Sequence, residues 1–483
     1  MAQPLQELRK IRLEKLKKIK ELGINPYPPS CKRDQLISQA REMLGEKVAV
    51  TGRIMAIRTH GGIAFFDLYD ETGKIQLVFK KDKLSEKLLK LLELLDEGDF
   101  LAAQGEVFKT KAGEISILVE DFQILAKSLR PLPQKWEGLK DLEVRHRKRY
   151  LDLLINPSVR EIFILKSKII FAVREFLNKK GFIEVETPIL QPIAGGATAR
   201  PFVTHMEDIH QDFYLRIAPE LYLKRVLVGG YEKVYELGKV FRNEGFSSKH
   251  NPEYTLLEIY QAYADYLKIM DLAKELIIFL LKKTKKTLKI KFAGQEIDFK
   301  NGWRKIPMRN VFLEKTGLDI NKVEIKELKE YAKKKKIFLE NATTKGKIID
   351  KIFSAEIEPT LIQPTFIYDL PRDISPLAKD CPNKPGYVER FELYIGGFEV
   401  ANAYSELNDP LDQKERFIEQ FKEREKGDKE AHPYDADFIE ALEYGMPPAG
   451  GIGFGIDRLL LILGDLPNIR EVILFPILKE KND

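Results

Sequence analysis

Residues Phe241–Tyr260 read FRNEGFSSKHNPEYTLLEIY, and the run leading into them, Val234–Val240, reads VYELGKV. Side chains on a strand alternate between faces. Phe241 therefore points to one side and Arg242 and Glu244 to the other. In the second run Thr255, Leu257 and Ile259 share a face, while Tyr254, Glu258 and Tyr260 share the opposite one. Gly, Ser, Asn and Pro between the runs supply turn chemistry, so the segment reads as a hairpin with a long loop. A hairpin on the surface would carry only solvated charges on its outer face. Here Arg242, Glu244, His250, Glu253 and Glu258 are interleaved with tyrosines and apolar residues, which suits the lining of a polar cleft.

The remainder of the chain bounds what such a cleft can belong to. With 483 residues and 44% hydrophobic content, a soluble protein of more than one domain is expected. No apolar run is long enough to span a bilayer. The N-terminus, MAQPLQELRKIRLEKLKKIKELG, lacks the apolar centre of a secretory signal and reads as a basic amphipathic helix with Leu5, Leu8 and Ile11 on one stripe. Two cysteines, Cys31 and Cys381, make neither a disulfide framework nor a zinc site, and suit a reducing cytoplasm. The net charge of +6 permits a polyanionic partner without requiring one.

Four segments follow from composition. Residues 1–45 form the basic helical segment. Residues 46–130 hold five short strand-like runs, with the helical stretch KLSEKLLKLLELL after the third, the pattern of a small closed barrel of the oligonucleotide-binding type. Residues 131–150, beginning RPLPQKW, read as a linker. From 151 to 483 strands and helices mix without the regular alternation of a doubly wound sheet, which predicts an antiparallel α+β domain. Within it, residues 267–364 are lysine-rich and read as a helical insertion.

More polar positions fall on predicted cleft faces. In YLRIAPELYLKR, Glu220 follows Pro219 at the start of a helix. In ERFELYIGGFEVANAYSELND, Glu392 and Tyr394 share a face, as do Asn402, Tyr404 and Glu406 beyond the glycines. Glu399 has the wrong parity to join them, so a bend or bulge must intervene if all serve one site. In GGIGFGIDRLLLIL a glycine-rich strand leads to a helix with Arg458 at its start. Such glycines let a flat ligand approach the backbone, and the arginine could meet a phosphate bidentately. The spacing is not that of a dinucleotide fingerprint.

Taken in order, the helix and strand ending at Pro188, the FRNE hairpin and GIGFGIDR resemble motifs 1, 2 and 3 of class II aminoacyl-tRNA synthetases. GGATARPF, RIAPELYLKR, ANAYSELNDP and ALEYGMPP resemble the lysyl-tRNA synthetases in particular. The resemblance implies an α+β fold: an N-terminal five-stranded OB-type barrel for the anticodon, and a catalytic antiparallel sheet of about six or seven strands flanked by helices, in a cytoplasmic homodimer joined through motif 1. It implies L-lysine, ATP and tRNA(Lys) as substrates, and about three Mg²⁺ ions accompanying the nucleotide. Arg242 and Arg458 would be catalytic, on the α- and γ-phosphates. Glu244, His250, Asn251 and Tyr254 would frame ATP, with Glu392 and Glu399. The metal carboxylates would be Glu392, Glu399 and Glu406. The lysine site would comprise Gly196, Ala218, Glu220, Arg242, Glu258, Tyr260, Asn402, Tyr404, Glu406 and Gly453. Tyr254 stands where phenylalanine is common, and Ala449 where threonine is common.

Part of this stands without the resemblance. A free cationic amino acid brings two ammonium groups, and a buried ammonium must be paired. Glu220, Glu258 and Glu406 are three carboxylates that could converge. An aspartyl- or asparaginyl-type synthetase would need a cation facing the substrate side chain. The resemblance adds that relatives which attach lysine to a protein lack the barrel, and a catalytically silent tRNA-binding paralogue would have no need of Arg242, Glu392, Glu399 and Arg458. On the barrel, alternation in GGIAFFDLYD puts Ala64, Phe66 and Leu68 inside and Phe65, Asp67 and Tyr69 outside. Phe65 is the expected base-stacking platform, and the resemblance puts the anticodon here, with Arg58 and Gln76 nearby.

Overall fold

The computed structural model describes residues 5–133, 139, 141–245, 247–339, 342, 344–426 and 431–480, and the chain forms two units, Met1–Gly138 and Leu139–Asp483. In the first unit the five alternating runs close into a barrel: β1 (Lys47–His60), β2 (Ile63–Tyr69), β3 (Lys74–Lys80), β4 (Phe100–Lys109) and β5 (Ile115–Ala126), in the order β1-β2-β3-β5-β4. Ala64, Phe66 and Leu68 on β2 and Ile75, Leu77 and Phe79 on β3 fill its interior, where Phe79 lies between Phe66 and Phe122 with ring centroids 4.8 and 5.2 Å away. The helix Glu86–Leu94 follows β3, capped by the Ser85 side chain.

The N-terminal helix forms over Leu5–Glu21, but the stripe that seats it is not Leu5, Leu8 and Ile11. Leu5 and Ile11 are exposed, and the buried residues are Arg12 and Ile19. Charge decides the docking. The Arg12 guanidinium donates to the carbonyls of Ser128 and Arg130 at 3.1 Å and of Glu97 at 3.0 Å, and Lys15 meets Asp96 at 2.6 Å.

The second unit is built on an eight-stranded sheet. In spatial order its strands are Arg304–Pro307, Thr365–Pro371, Tyr387–Ile395, Phe398–Ser405, Ala449–Gly455, Glu253–Ala262, Lys233–Phe241 and Ile183–Glu184. The six inner strands pair antiparallel, and each short edge strand joins in parallel, which accounts for the excess over the expected six or seven. On one face Leu257, Ile259, Phe391, Leu393, Ile452 and Phe454 pack against the helices Pro157–Lys179, Tyr266–Thr284 and Ile456–Leu463.

Two of the expected boundaries change. The stretch 267–364 is not a helical insertion set apart from the sheet. Its first helix, Tyr266–Thr284, buries Ile269, Met270, Ala273, Leu276, Ile277, Leu280 and Leu281 in the main core, and Arg304–Pro307 is an edge strand of the main sheet. The lysines sit on the solvent side and at the helix end. A smaller core of Met308, Phe312, Ile348, Ile352 and Phe353 also includes Ile367 and Tyr394 from the central strands. Likewise the second half of the expected linker 131–150 is helical, over Leu142–Arg147 and from Arg149 onward. Arg149 is fully buried and ion-paired to Asp152 at 2.5 Å. Among the described residues both cysteines are free, and no helix is long and apolar enough to cross a membrane.

Candidate active site

Residues paired across adjacent strands share a face of the sheet, so the register builds the site row by row. Glu258 pairs with Gly453, Gly453 with Asn402, and Asn402 with Glu392. The next row is Tyr260, Gly451, Tyr404 and Arg390. Both rows lie on the face opposite the core and line a cavity of about 480 Å³. Its floor is nearly bare backbone. A side chain on Gly451 would collide with the Glu406 carboxylate and the Tyr260 ring, whereas at Gly453 a Cβ would find its nearest side-chain neighbours, Glu258 and Leu256, only at 3.8 Å, leaving room for a ligand.

Glu399 reaches the same cavity through a bulge. Leu393 pairs with Ala401 but Tyr394 with Glu399, so Val400 is the extra residue and parity flips there. The sequence demanded such a device without locating it. Of the expected site residues, Gly196, Ala218, Glu220, Arg242, Glu244, His250, Asn251, Tyr254, Glu258, Tyr260, Glu392, Glu399, Asn402, Tyr404, Gly453 and Arg458 all line this one cavity. Gly196 adopts φ +86°, and a Cβ there would press on Glu220 and Ala218.

Glu406, expected among the metal carboxylates and amino-acid ligands, is not part of the lining itself, although its carboxylate overhangs Gly451 of the floor. It keeps the parity of Asn402 and Tyr404, and Lys224 holds it at 2.5 Å in a site where neither side chain is exposed. Burial pushes its carboxyl up to about 8 against the pull of Lys224.

One end of the cavity is cationic. Arg242 lies over the Tyr254 ring, 5.5 Å from its centroid, and donates to the Ile217 carbonyl at 3.4 Å. Arg458 rests on the Glu399 carboxylate at 3.2 Å, on its carbonyl at 2.8 Å, and on His250 Nε2 at 3.0 Å. Burial and the neighbouring Arg458 hold His250 down to about 4. The neutral ring accepts from Arg458 on Nε2, which leaves Nδ1–H to donate to Ser247 Oγ at 2.8 Å. An anion entering here would replace Glu399 as the partner of Arg458.

Beside these cations stand Glu392, Glu399 and Asp350. Glu392 accepts from Arg390 at 2.7 Å and from Tyr394 OH at 2.6 Å. Burial pushes it up to about 7; Arg390 opposes this, while Glu399 and Asp350 add to it. Carboxylates crowded at that cost are suitable donors for a hard divalent cation, which would relieve their repulsion. Asp350, Arg390 and Lys249 were missed by sequence reasoning. Asp350 sits in the stretch read as an insertion, and Arg390 differed from an ordinary strand charge only in its parity with Glu392.

The other end is anionic and buried. Burial first, and Glu220 second, raise Glu258 well above the ordinary carboxylate range; its partner is Tyr260 OH at 3.0 Å. Glu220 accepts from Tyr404 OH at 2.5 Å and from Lys224 at 2.8 Å. Lys224 too was missed, although its i,i+4 spacing from Glu220 on one helix was visible.

Sequence similarity over the whole chain places this cavity in a known family. A family model described as class II tRNA synthetases (D, K and N) matches residues 141–479, and one described as an OB-fold nucleic acid binding domain matches residues 48–125. Similar proteins named lysine–tRNA ligase include those of Carboxydothermus hydrogenoformans, at 51% identity over 99% of both chains, and of Syntrophomonas wolfei, at 50% over 99% of this chain and 98% of the other. That of Thermotoga maritima is 49% identical over 99% and 97%. The chain belongs to the lysine–tRNA ligase family of class II tRNA synthetases.

On the barrel, Arg58 and Phe65 are cross-strand partners, and so are Asp67 and Gln76. Arg58 is tied to Asp67 at 2.8 Å, Gln76 accepts from Ser116 Oγ at 3.0 Å, and Phe65 is half-buried while Phe66 is fully inside. The three candidates therefore form one patch on the barrel wall.

Proposed function

We propose that this chain is a lysine–tRNA ligase, which activates L-lysine with ATP to lysyl-adenylate and pyrophosphate and then transfers the lysyl group to the 3′-end of tRNA(Lys). The observation that carries the substrate is the placement of Glu220 and Glu258, both buried, together at one end of the cavity. Two desolvated carboxylates there need cationic partners, and a free lysine brings two ammonium groups. An aspartyl- or asparaginyl-type pocket would need a cation for the substrate side chain. The cation at this end, Lys224, is already held by Glu220 and Glu406.

The lysine carboxylate is a nucleophile as it stands, so no side chain is needed as general base for attack on the α-phosphorus. Arg242 neutralises charge on the α-phosphate and orients it; Arg458, released from Glu399, takes the γ-phosphate; His250, Asn251, Glu244 and the Tyr254 ring hold the rest of the nucleotide. Mg²⁺ would be held by Glu392 and Glu399, with Asp350 beside them, and would supply charge neutralisation along the triphosphate. In the second step the terminal ribose hydroxyl attacks the lysyl carbonyl, and the ester forms as the anhydride bond breaks and AMP leaves. The barrel patch of Arg58, Phe65 and Gln76 would meet the anticodon. Ile164, Phe171 and Ile183 are exposed apolar residues of the motif 1 segment, continued by Ile189 and Leu190, and support a homodimer through it. The reading implies action in the cytoplasm.

Amino-acid-dependent ATP–pyrophosphate exchange across the twenty amino acids tests this. Lysine should support exchange, and Glu258→Gln should reduce kcat/KM for lysine by the equivalent of about 2–5 kcal/mol. Exchange driven by aspartate or asparagine would overturn the substrate; a Glu258→Gln effect under twofold would overturn the pocket.

A further inference from the structure

We propose that His205, Glu207 and His210, at the tip of a hairpin outside the cavity, form a binding site for a divalent transition metal, Zn²⁺ by its donor set. The hairpin consists of the strands Phe202–Met206 and Gln211–Leu215, joined by a single 3₁₀ turn over Glu207–Ile209. One ligand atom from each of the three side chains lies within 4.8 Å of the other two. Among the described residues this is the one group of histidine, cysteine, aspartate or glutamate side chains with such spacing.

Local structure explains why they meet. Met206 and Gln211 are the last pair of the ladder, and His205 and Asp212 are the pair before it. The turn folds His210 back toward His205, with Glu207 on the same short bend. His210 takes the left-handed conformation at φ 49°, which glycine would hold at less cost. All three side chains are exposed, so an ion can reach them from solvent.

The donor types select the ion. Two imidazoles and a carboxylate suit Zn²⁺ and leave a fourth position for water. They fit Mg²⁺ and Ca²⁺ poorly, because those ions favour oxygen. Asp212, outside the trio, supplies the orienting contact that metal-bound histidines use: its carboxylate meets His205 Nδ1 at 2.7 Å. With the Nδ1 proton donated there, the lone pair of Nε2 is the one left to an ion. An ion so held ties the two strands together at the turn. The second strand leads within three residues to Ala218 on the cavity wall, so the clip steadies a segment that reaches the site. The proposal does not depend on which amino acid is activated.

The test titrates Zn²⁺ into the untagged full chain, stripped of metal by chelation, in a calorimeter with excess Mg²⁺ to fill sites made of carboxylates alone. Wild type should take up one Zn²⁺ per chain. Asp212→Asn should weaken binding about ten- to a hundredfold, and Glu207→Gln and His210→Asn at least as much. Asparagine tolerates the left-handed turn, so His210→Asn removes an imidazole without straining the hairpin. In thermal melts Zn²⁺ should raise the midpoint of wild type and not that of His210→Asn. A wild type that takes up no Zn²⁺ would overturn the proposal. So would uptake unchanged in His210→Asn, which would put the ion on other side chains, and so would one ion per two chains, which would put it between copies.

Discussion

The barrel wall and the floor of the central cavity both place charge beside aromatic rings on one face of a sheet, and they differ in what surrounds the charge. On the barrel Arg58 is about half exposed and carries solvent to its pair with Asp67, which is itself nearly buried and also lies 3.6 Å from Lys74. At and behind the cavity wall Glu220, Lys224 and Glu406 are almost wholly enclosed. A solvated pair contributes little and is screened by salt. An enclosed charge costs several kcal/mol unless matched in number and position. The barrel can therefore accept a flexible polyanion by stacking and loose attraction, while the cavity admits only a ligand that completes its charges.

The sharpest way to break this contrast is to remove a cation that faces the reacting phosphorus. Arg242→Ala should lower the exchange rate by about two to three orders of magnitude, with Arg458→Ala weaker in the chemical step. Equal, small effects confined to KM for ATP would show that neither arginine acts in the transition state.

Next in size is an enclosed base that has nothing to do with phosphate. Burial, and then Lys224 and Arg424, hold His432 down to about 4. The unfolded chain therefore takes up a proton below its ordinary value of 6.5 while the folded chain does not. Stability is full above that value and falls as pH drops toward 4. Between pH 7 and pH 5 this one residue should cost roughly 1–3 kcal/mol. Urea titrations of wild type and His432→Gln at both pH values measure it; the variant should lose that part of the slope, and parallel slopes would contradict it.

Phe65→Ala should weaken tRNA charging about ten- to a hundredfold and leave pyrophosphate exchange unchanged, because exchange needs no tRNA. A loss of exchange would mean that the patch serves the catalytic unit. Smallest of all, Arg58→Met should change barrel stability by about 0.2–1 kcal/mol, vanishing in molar salt. A larger, salt-insensitive change would mean that this pair behaves like the enclosed ones.

Local alternation is why so much of the site could be read in advance. Tyr254, Glu258 and Tyr260 fall on one face because neighbours on a strand must, and the same rule put Phe66 inside the barrel. What escaped was set by distant parts of the chain. Glu406 has the expected parity, and the lysine that holds it lies 182 positions earlier. The flip that brings in Glu399 depends on one unpaired residue, Val400, whose identity carries no bulge signal. The lysine-rich stretch after residue 267 looked peripheral because its charges are conspicuous, while the apolar stripe of Tyr266–Thr284 that seats it in the core is spread over five turns. The N-terminal helix misled in the opposite sense: its apolar stripe was visible, yet the buried guanidinium of Arg12 does the anchoring.

The bare floor at Gly451 also limits how this pocket can diverge. A glycine can be replaced only by something larger, and at Gly451 the first added carbon already strikes Glu406 and Tyr260. The floor is thus a fixed datum from which pocket depth is measured. Descendants of this chain that come to prefer a longer or shorter amino acid have the walls to vary, at Glu220, Tyr404 and Ala218, while the strand beneath them stays as it is.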